Sequence, residues 1–202
     1  MRYVVFDISN ILYRTFYANK NDDDITIAGL AQHAALVTLN KYFRELKPDK
    51  VIMAFDRPNW RKEYTETDQC LSKRIYKGNR RQKMTPSEKA KYELFCEHLE
   101  DFEQLMKVHT SVVCLAAPRL EADDLMAGFV QVYDALDEDA EFIVVTADKD
   151  MVQLLEYPNV RLLDPASGKD RNLDDYENDV GLFMFEKCIR GDRGDNVMSA
   201  YP

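Results

Sequence analysis

The chain has 202 residues, 46% apolar and 31% charged, which suffices for one ordinary core and is too hydrophobic for a disordered chain. No run of about 18 apolar residues occurs, so no membrane-spanning helix is expected, and the start MRYVVFDIS lacks the pattern of a secretory leader. The formal net charge is −9, yet residues 57–91 hold eleven Lys/Arg against four acids, so a strip of +7 joins a body of −16.

In chain order, residues 3–6 form a short, continuously apolar run, as expected of a strand covered on both faces. Residues 19–24 are polar and acidic and predict a mobile loop. Residues 26–46 place Ile27, Leu30, Ala31, Ala34, Val37 and Tyr42 at roughly helical spacing. A second strand is expected at 51–55, after which residues 57–85 lose any apolar period and read as an insertion. A helix at 87–108, a strand at 111–115, a helix at 122–136 and a strand at 141–146 follow. A helix at 149–155, a strand at 160–163 and a helix at 180–189 complete the pattern, before the turn-rich run Gly191-Asp192-Arg193-Gly194-Asp195-Asn196. Strands alternating with helices predict an α/β domain, its mainly parallel sheet carrying helices on both faces. Residues 1–175 form its body and 176–202 a separate segment. Cys70, Cys96, Cys114 and Cys188 make no C-x-x-C pair, and His33, His98 and His109 add no zinc spacing. Reduced thiols in a cytoplasmic protein are expected.

Carboxylates recur at strand ends. Asp7 follows YVVF, Asp56 follows VIMAF, and Asp148 and Asp150 follow FIVVTA, while Glu121, Asp123 and Asp124 open the helix after the third strand. The carboxyl edge of a parallel sheet is where open α/β folds bind ligands. Taken singly, each acid suits a helix cap or first turn. Taken together they repel, by roughly 3 kcal/mol for two charges 6 Å apart at an effective dielectric near 20. Divalent cations remove that penalty, and all-oxygen ligands suit Mg²⁺ or Mn²⁺ rather than zinc. On an ideal helix Asp123 points away from Glu121 and Asp124, so the three converge only if the helix begins inside this motif.

The ordered series FDISN, AFD, YKGNRR, EADD, TADKD and GDRGDN resembles the flap endonuclease and 5′-to-3′ exonuclease family, from Asp7 to Asn196. Phage nucleases, the polymerase-linked bacterial nuclease domain and eukaryotic flap endonucleases belong to it. The resemblance implies a 5′-nuclease (PIN-like) fold and two metals held by Asp7, Asp56, Glu121, Asp123, Asp124, Asp148 and Asp150. Asp192 and Asp195 match the last acidic pair. It implies two-metal hydrolysis leaving 5′-phosphate and 3′-hydroxyl ends, with DNA flaps, nicks and RNA primers on DNA as substrates. YKGNRR matches the arch that passes a single 5′ strand. Lys77 and Arg80 would then contact the scissile phosphate, the metal-holding Asp148 and Asp150 would complete the catalytic set, and Lys73, Arg74 and Arg81 would join Lys77 and Arg80 in binding DNA. Gly78 and Asn79 weaken helix propensity, so the basic strip at 57–91 is expected to be mobile alone and helical on DNA. Relatives continue into a helix–hairpin–helix region that carries K⁺; this sequence offers only its first part, as though truncated. A monomer is expected, with a replication-protein partner unspecified. A PIN-like ribonuclease and a non-catalytic DNA-junction module remain the competing readings.

Overall fold

The computed structural model describes residues 1–19, 23–82 and 84–200; the side chains of Arg81 and Gln82 also lie outside the description. The loop expected at 19–24 falls mainly on residues 20–22, outside the described residues. Asp23 already caps the next helix, its carboxylate accepting the Thr26 amide.

β1 (Arg2–Asp7), β2 (Lys50–Ala54), β3 (Val113–Leu115), β4 (Glu141–Val145) and β5 (Val160–Leu163) are parallel, and the two-residue β6 (Asp170–Arg171) pairs antiparallel with β5. The order across the sheet is β3-β2-β1-β4-β5-β6. Five strands were expected; β6 is too short to leave a pattern. The expected strand at 111–115 shortens to three residues.

Pleating sends alternate residues to opposite faces. Val4, Phe6, Met53, Ile143 and Val145 pack on one side against α1 (Ile8–Ala18), α2 (Asp24–Leu46) and α5 (Pro86–His109). Tyr3, Val5, Ile52, Phe142 and Val144 pack on the other against α6 (Ala122–Leu136) and α7 (Val180–Arg190). Burying each large apolar side chain contributes about 1.5–3 kcal/mol, so both faces hold the sheet in register. α1 had no counterpart in the sequence reading. Residues 150–156, expected helical, form a 3₁₀ helix instead. The basic strip is not irregular throughout: it contains the short helices α3 (Trp60–Thr65) and α4 (Gly78–Gln82), and its residues 86–91 are already the start of α5.

The chain moves outward from β1 to β2 and β3, then returns to place β4 on the other side of β1. That reversal opens a crevice at the carboxyl ends of β1 and β4, where the loops diverge.

Candidate functional site

Asp7 is the last residue of β1 and also the N-cap of α1, accepting the Asn10 amide at 3.0 Å. Its other carboxylate oxygen accepts the Thr146 hydroxyl at 2.9 Å, and the Thr146 oxygen in turn accepts the Asp148 amide at 3.0 Å. One hydroxyl thus spans the crevice between β1 and β4. On the opposite flank Ser9 Oγ accepts the Asp56 amide, and Asp56 Oδ1 accepts the Ala122 amide, each at 2.8 Å. Glu121 is the extended N-cap of α6, so the helix does begin inside the EADD motif. Asp148 Oδ1 accepts the Asp150 amide at 2.8 Å. Chain segments distant in sequence are therefore tied together at one edge of the sheet.

The electrostatics divide these acids into two groups. Asp7 is buried, and burial with the nearby Asp56 charge raises its carboxyl to about 7. Burial and the charges of Glu121 and Asp124 raise Asp123 to about 6. Asp56 opens to the water of the cleft, yet protein packed on its other sides and the Glu121 charge raise its carboxyl too. No salt bridge reaches Asp7, Asp56, Asp123 or Asp148 among the described residues. The remaining five acids are met by the protein's own cations. Arg61 takes Asp124 through both guanidinium nitrogens at 2.6 and 2.8 Å, and its hydrogen bond holds the Asp124 carboxyl below its ordinary value. Lys77 Nζ reaches Glu121 at 2.5 Å, Arg80 reaches Asp195 at 2.5 Å, and Lys187 contacts Asp150 and lies 3.4 Å from Asp192.

The acids are neighbours and not a finished cage: among the described residues no three His, Cys, Asp or Glu groups converge on one point as a ligand set. The donor chemistry nonetheless suits hard divalent cations, being all oxygen and anionic. Carboxyls that stay raised by burial and by neighbouring acids, with Lys77 and Arg61 only partly offsetting Asp56 and Asp123, are the electrostatic signature of a place that favours added positive charge.

The basic strip is joined to the GDRGDN turn. The Lys77 amide donates to the Asp195 carbonyl at 2.9 Å, Asn79 Nδ2 to the Arg193 carbonyl, Arg80 Nε to the Gly194 carbonyl, and Asn196 Nδ2 to the Ile75 carbonyl. Tyr76 places its hydroxyl on Asp195 at 2.9 Å and Glu121 at 3.2 Å; burial, then those two acids, raises its pKa. Lys77 sits at φ 54, a left-handed conformation that a side-chain-bearing residue holds only when its surroundings fix it. Asp192 also performs the turn role expected of its residue type, accepting the Gly194 and Asp195 amides. Asp148, Asp150, Asp192, Asp195, Arg80 and Lys187 line a cleft of about 500 Å³. Lys73 and Arg74 stand exposed away from these contacts, and the Arg81 side chain lies outside the described residues.

Sequence reasoning missed Arg61, Lys187, Ser9 and Thr146. Lys187 precedes the GDRGDN turn by one helical turn, a usable signal; Arg61 was counted only among the strip's charges.

Residues 2–181 match the family model for the 5′-3′ exonuclease N-terminal, resolvase-like domain. The chain is 22% identical over 198 residues to ribonuclease H of Enterobacteria phage T4, covering 96% of this chain and 62% of that protein. It is 24% identical to DNA polymerase I of Caldicellulosiruptor bescii, covering 98% of this chain and 22% of that protein. It thus spans less than two thirds of either relative. Among solved structures, a phage T5 protein co-crystallised with metal ions superposes with a TM-score of 0.77 at 23% identity, covering 100% of this chain and 70% of the other. The T5 flap endonuclease complexed with DNA and metal ions gives 0.74 at 23% identity, with the same coverage. These likenesses establish the fold.

Proposed function

The chain belongs to the 5′-3′ exonuclease N-terminal, resolvase-like domain family, and from that membership we propose that it is a divalent-metal-dependent nuclease acting on 5′-ended, nicked or flapped DNA. One observation carries the reading: Asp7, Asp56 and Asp123, at the ends of β1 and β2 and the start of α6, have carboxyls raised by burial and by neighbouring acids, and no salt bridge reaches them among the described residues. The T5 complex with DNA and metal ions supports it by likeness of fold.

On this reading Asp7, Asp56, Glu121, Asp123, Asp148, Asp150, Asp192 and Asp195 would hold two ions, the last four from within one cleft. Two Mg²⁺ or Mn²⁺ ions bound there would supply an activated water and charge stabilisation at the leaving 3′-oxygen. Lys77 exchanges Glu121 for the scissile phosphate and offsets its growing charge, with Arg80 beside it. Tyr76 holds Glu121 and Asp195 at a fixed spacing. Lys73, Arg74 and Arg81 steer the backbone of the incoming strand. Residues 1–175 form the nuclease body with the strip at 57–91 as its arch, and 176–202 approach duplex DNA. The name of the T4 relative, ribonuclease H, favours RNA annealed to DNA as a second substrate.

A 5′-labelled DNA flap incubated with Mg²⁺, with and without chelator, is the direct test, run beside an RNA–DNA hybrid and a single-stranded RNA of matching sequence. Chelator-sensitive cutting of the flap, lost in Asp148→Asn, is expected. Cutting of the single-stranded RNA alone would make the protein a PIN-like ribonuclease, and binding without cleavage a junction module.

A further inference from the structure

Asp124 is the one acid of the EADD motif with both carboxylate oxygens engaged by a guanidinium; the same guanidinium reaches Glu121 through a single nitrogen at 3.5 Å, and Lys77 holds the other Glu121 oxygen. Oδ1 accepts Arg61 NH2 at 2.6 Å, and Oδ2 accepts Arg61 NH1 at 2.8 Å and the Glu121 amide at 3.1 Å. Bidentate guanidinium–carboxylate pairing is the strongest and most directional of the side-chain ion pairs. Its neighbour differs in kind: the hydrogen bond given to the Asp123 carboxylate comes from the Asp124 amide at 2.7 Å, and no salt bridge reaches it among the described residues.

Arg61 is held in place before any ligand arrives. It lies on α3, whose N-cap Asn59 accepts the Lys62 amide at 2.8 Å. The Trp60 amide donates to the Arg119 carbonyl at 3.0 Å, and Asn59 bridges Arg119, which ties α3 to the loop entering α6. The Trp60 ring lies 5.2 Å from the guanidinium carbon, in cation–π range. A side chain braced in this way does not yield its partner readily.

Resting on the nuclease reading above, we propose that Arg61 is a positioning residue that withholds Asp124 from the metal, leaving Glu121 and Asp123 as the ligands this turn supplies. The pair is neutral as a unit, so it anchors the first turn of α6 without adding to the charge of the site. That revises the sequence expectation in which Asp124 is itself a ligand.

The signs of three variants separate the two roles. If Asp124 is Arg61's anchor, Asp124→Asn strands a positive charge beside the ions and weakens Mn²⁺ binding about tenfold, while Arg61→Gln frees a carboxylate and tightens it several-fold. The double variant removes both charges and returns the Mn²⁺ dissociation constant to within about threefold of the parent, the non-additivity expected of a direct pair. Titration calorimetry with Mn²⁺ alone on the full chain reads this, and thermal melts check that each variant is folded. A double variant as weak as Asp124→Asn overturns the proposal, as does weaker binding by Arg61→Gln, because either makes Asp124 a ligand or Arg61 a purely structural brace. A parent that neither binds Mn²⁺ nor cuts a flap overturns the nuclease reading along with it; a parent that does both, beside a double variant that stays weak, overturns the Arg61 proposal alone.

Discussion

Asp7→Asn keeps the shape of the residue and its role as N-cap of α1, since Asn caps as well as Asp, while removing one negative charge from the centre of the crevice. Burial and the Asp56 charge raise the Asp7 carboxyl from 3.8 to about 7, against the Asn10 and Thr146 hydrogen bonds that lower it. The unfolded chain ionises this group at its ordinary value. Stability is therefore highest below that value, falls as pH rises towards 7 because the unfolded state sheds a proton the folded state retains, and levels off above. The gap between 3.8 and about 7 sets a ceiling of about 4 kcal/mol on the cost of the ionised form. Relaxation and water entry reduce the recoverable part to about 1–2 kcal/mol, or roughly 4 °C in Tm for a chain of this size. In thermal melts with chelator the variant should melt higher than the parent at about pH 8 and lose that advantage towards about pH 4. Saturating Mg²⁺ should reverse the order, because a ligand at 100 times its Kd stabilises its binder by about 2.7 kcal/mol. A parent that is the more stable protein at about pH 8 without metal, or a difference indifferent to pH, refutes the account of Asp7 as an ill-satisfied charge.

Three further outcomes follow. Glu103, buried on α5, accepts Arg57 and Lys107; Glu103→Gln breaks that network and should cost about 3 kcal/mol, lowering Tm by roughly 6–12 °C in a melt. Gly191 sits at φ 68, and a Cβ there would lie 2.4 Å from the Met198 backbone; Gly191→Ala should open the GDRGDN turn and speed tryptic cleavage between residues 187 and 193 about tenfold or more, and an unchanged digest would show that the turn tolerates the methyl group. Lys77→Ala should slow single-turnover flap cutting by about 10²–10³-fold while leaving flap affinity within about threefold; the opposite split would make Lys77 a docking residue.

Much of the fold was legible because β1, β2 and β4 are covered on both faces and so leave apolar runs, each followed within three residues by an acid at the sheet edge. The elements that escaped had physical reasons to do so. α1 follows β1 without a glycine or proline between them, Asp7 serving as both strand end and helix cap, so no break marks the change of period. α3 and α4 are six and five residues long, too short for a hydrophobic stripe to declare itself. Acids at strand ends signalled the crevice, whereas the cations that face them did not announce their partners. Arg61 meets an acid 63 positions away, and Arg80 meets Asp195 across 115. Local spacing carries no information about such pairs; the first follows from the pairing of β3 beside β2, and the second from the topology that returns β4 to the flank of β1 and brings the later chain back to the same edge.

The stitching of residues 75–80 to residues 192–196 bears on how such proteins diverge. Four of its hydrogen bonds have a backbone carbonyl as acceptor, at Ile75, Arg193, Gly194 and Asp195, and three of the four donors are the side chains of Asn79, Arg80 and Asn196, so each segment's residues are matched to the chain path of the other. A basic strip grafted from one homologue into another would arrive without its counterpart unless the distant glycine-rich turn travelled with it. A chimera of this fold should therefore keep its flap binding only when both segments come from one parent, although more than a hundred residues of scaffold lie between them.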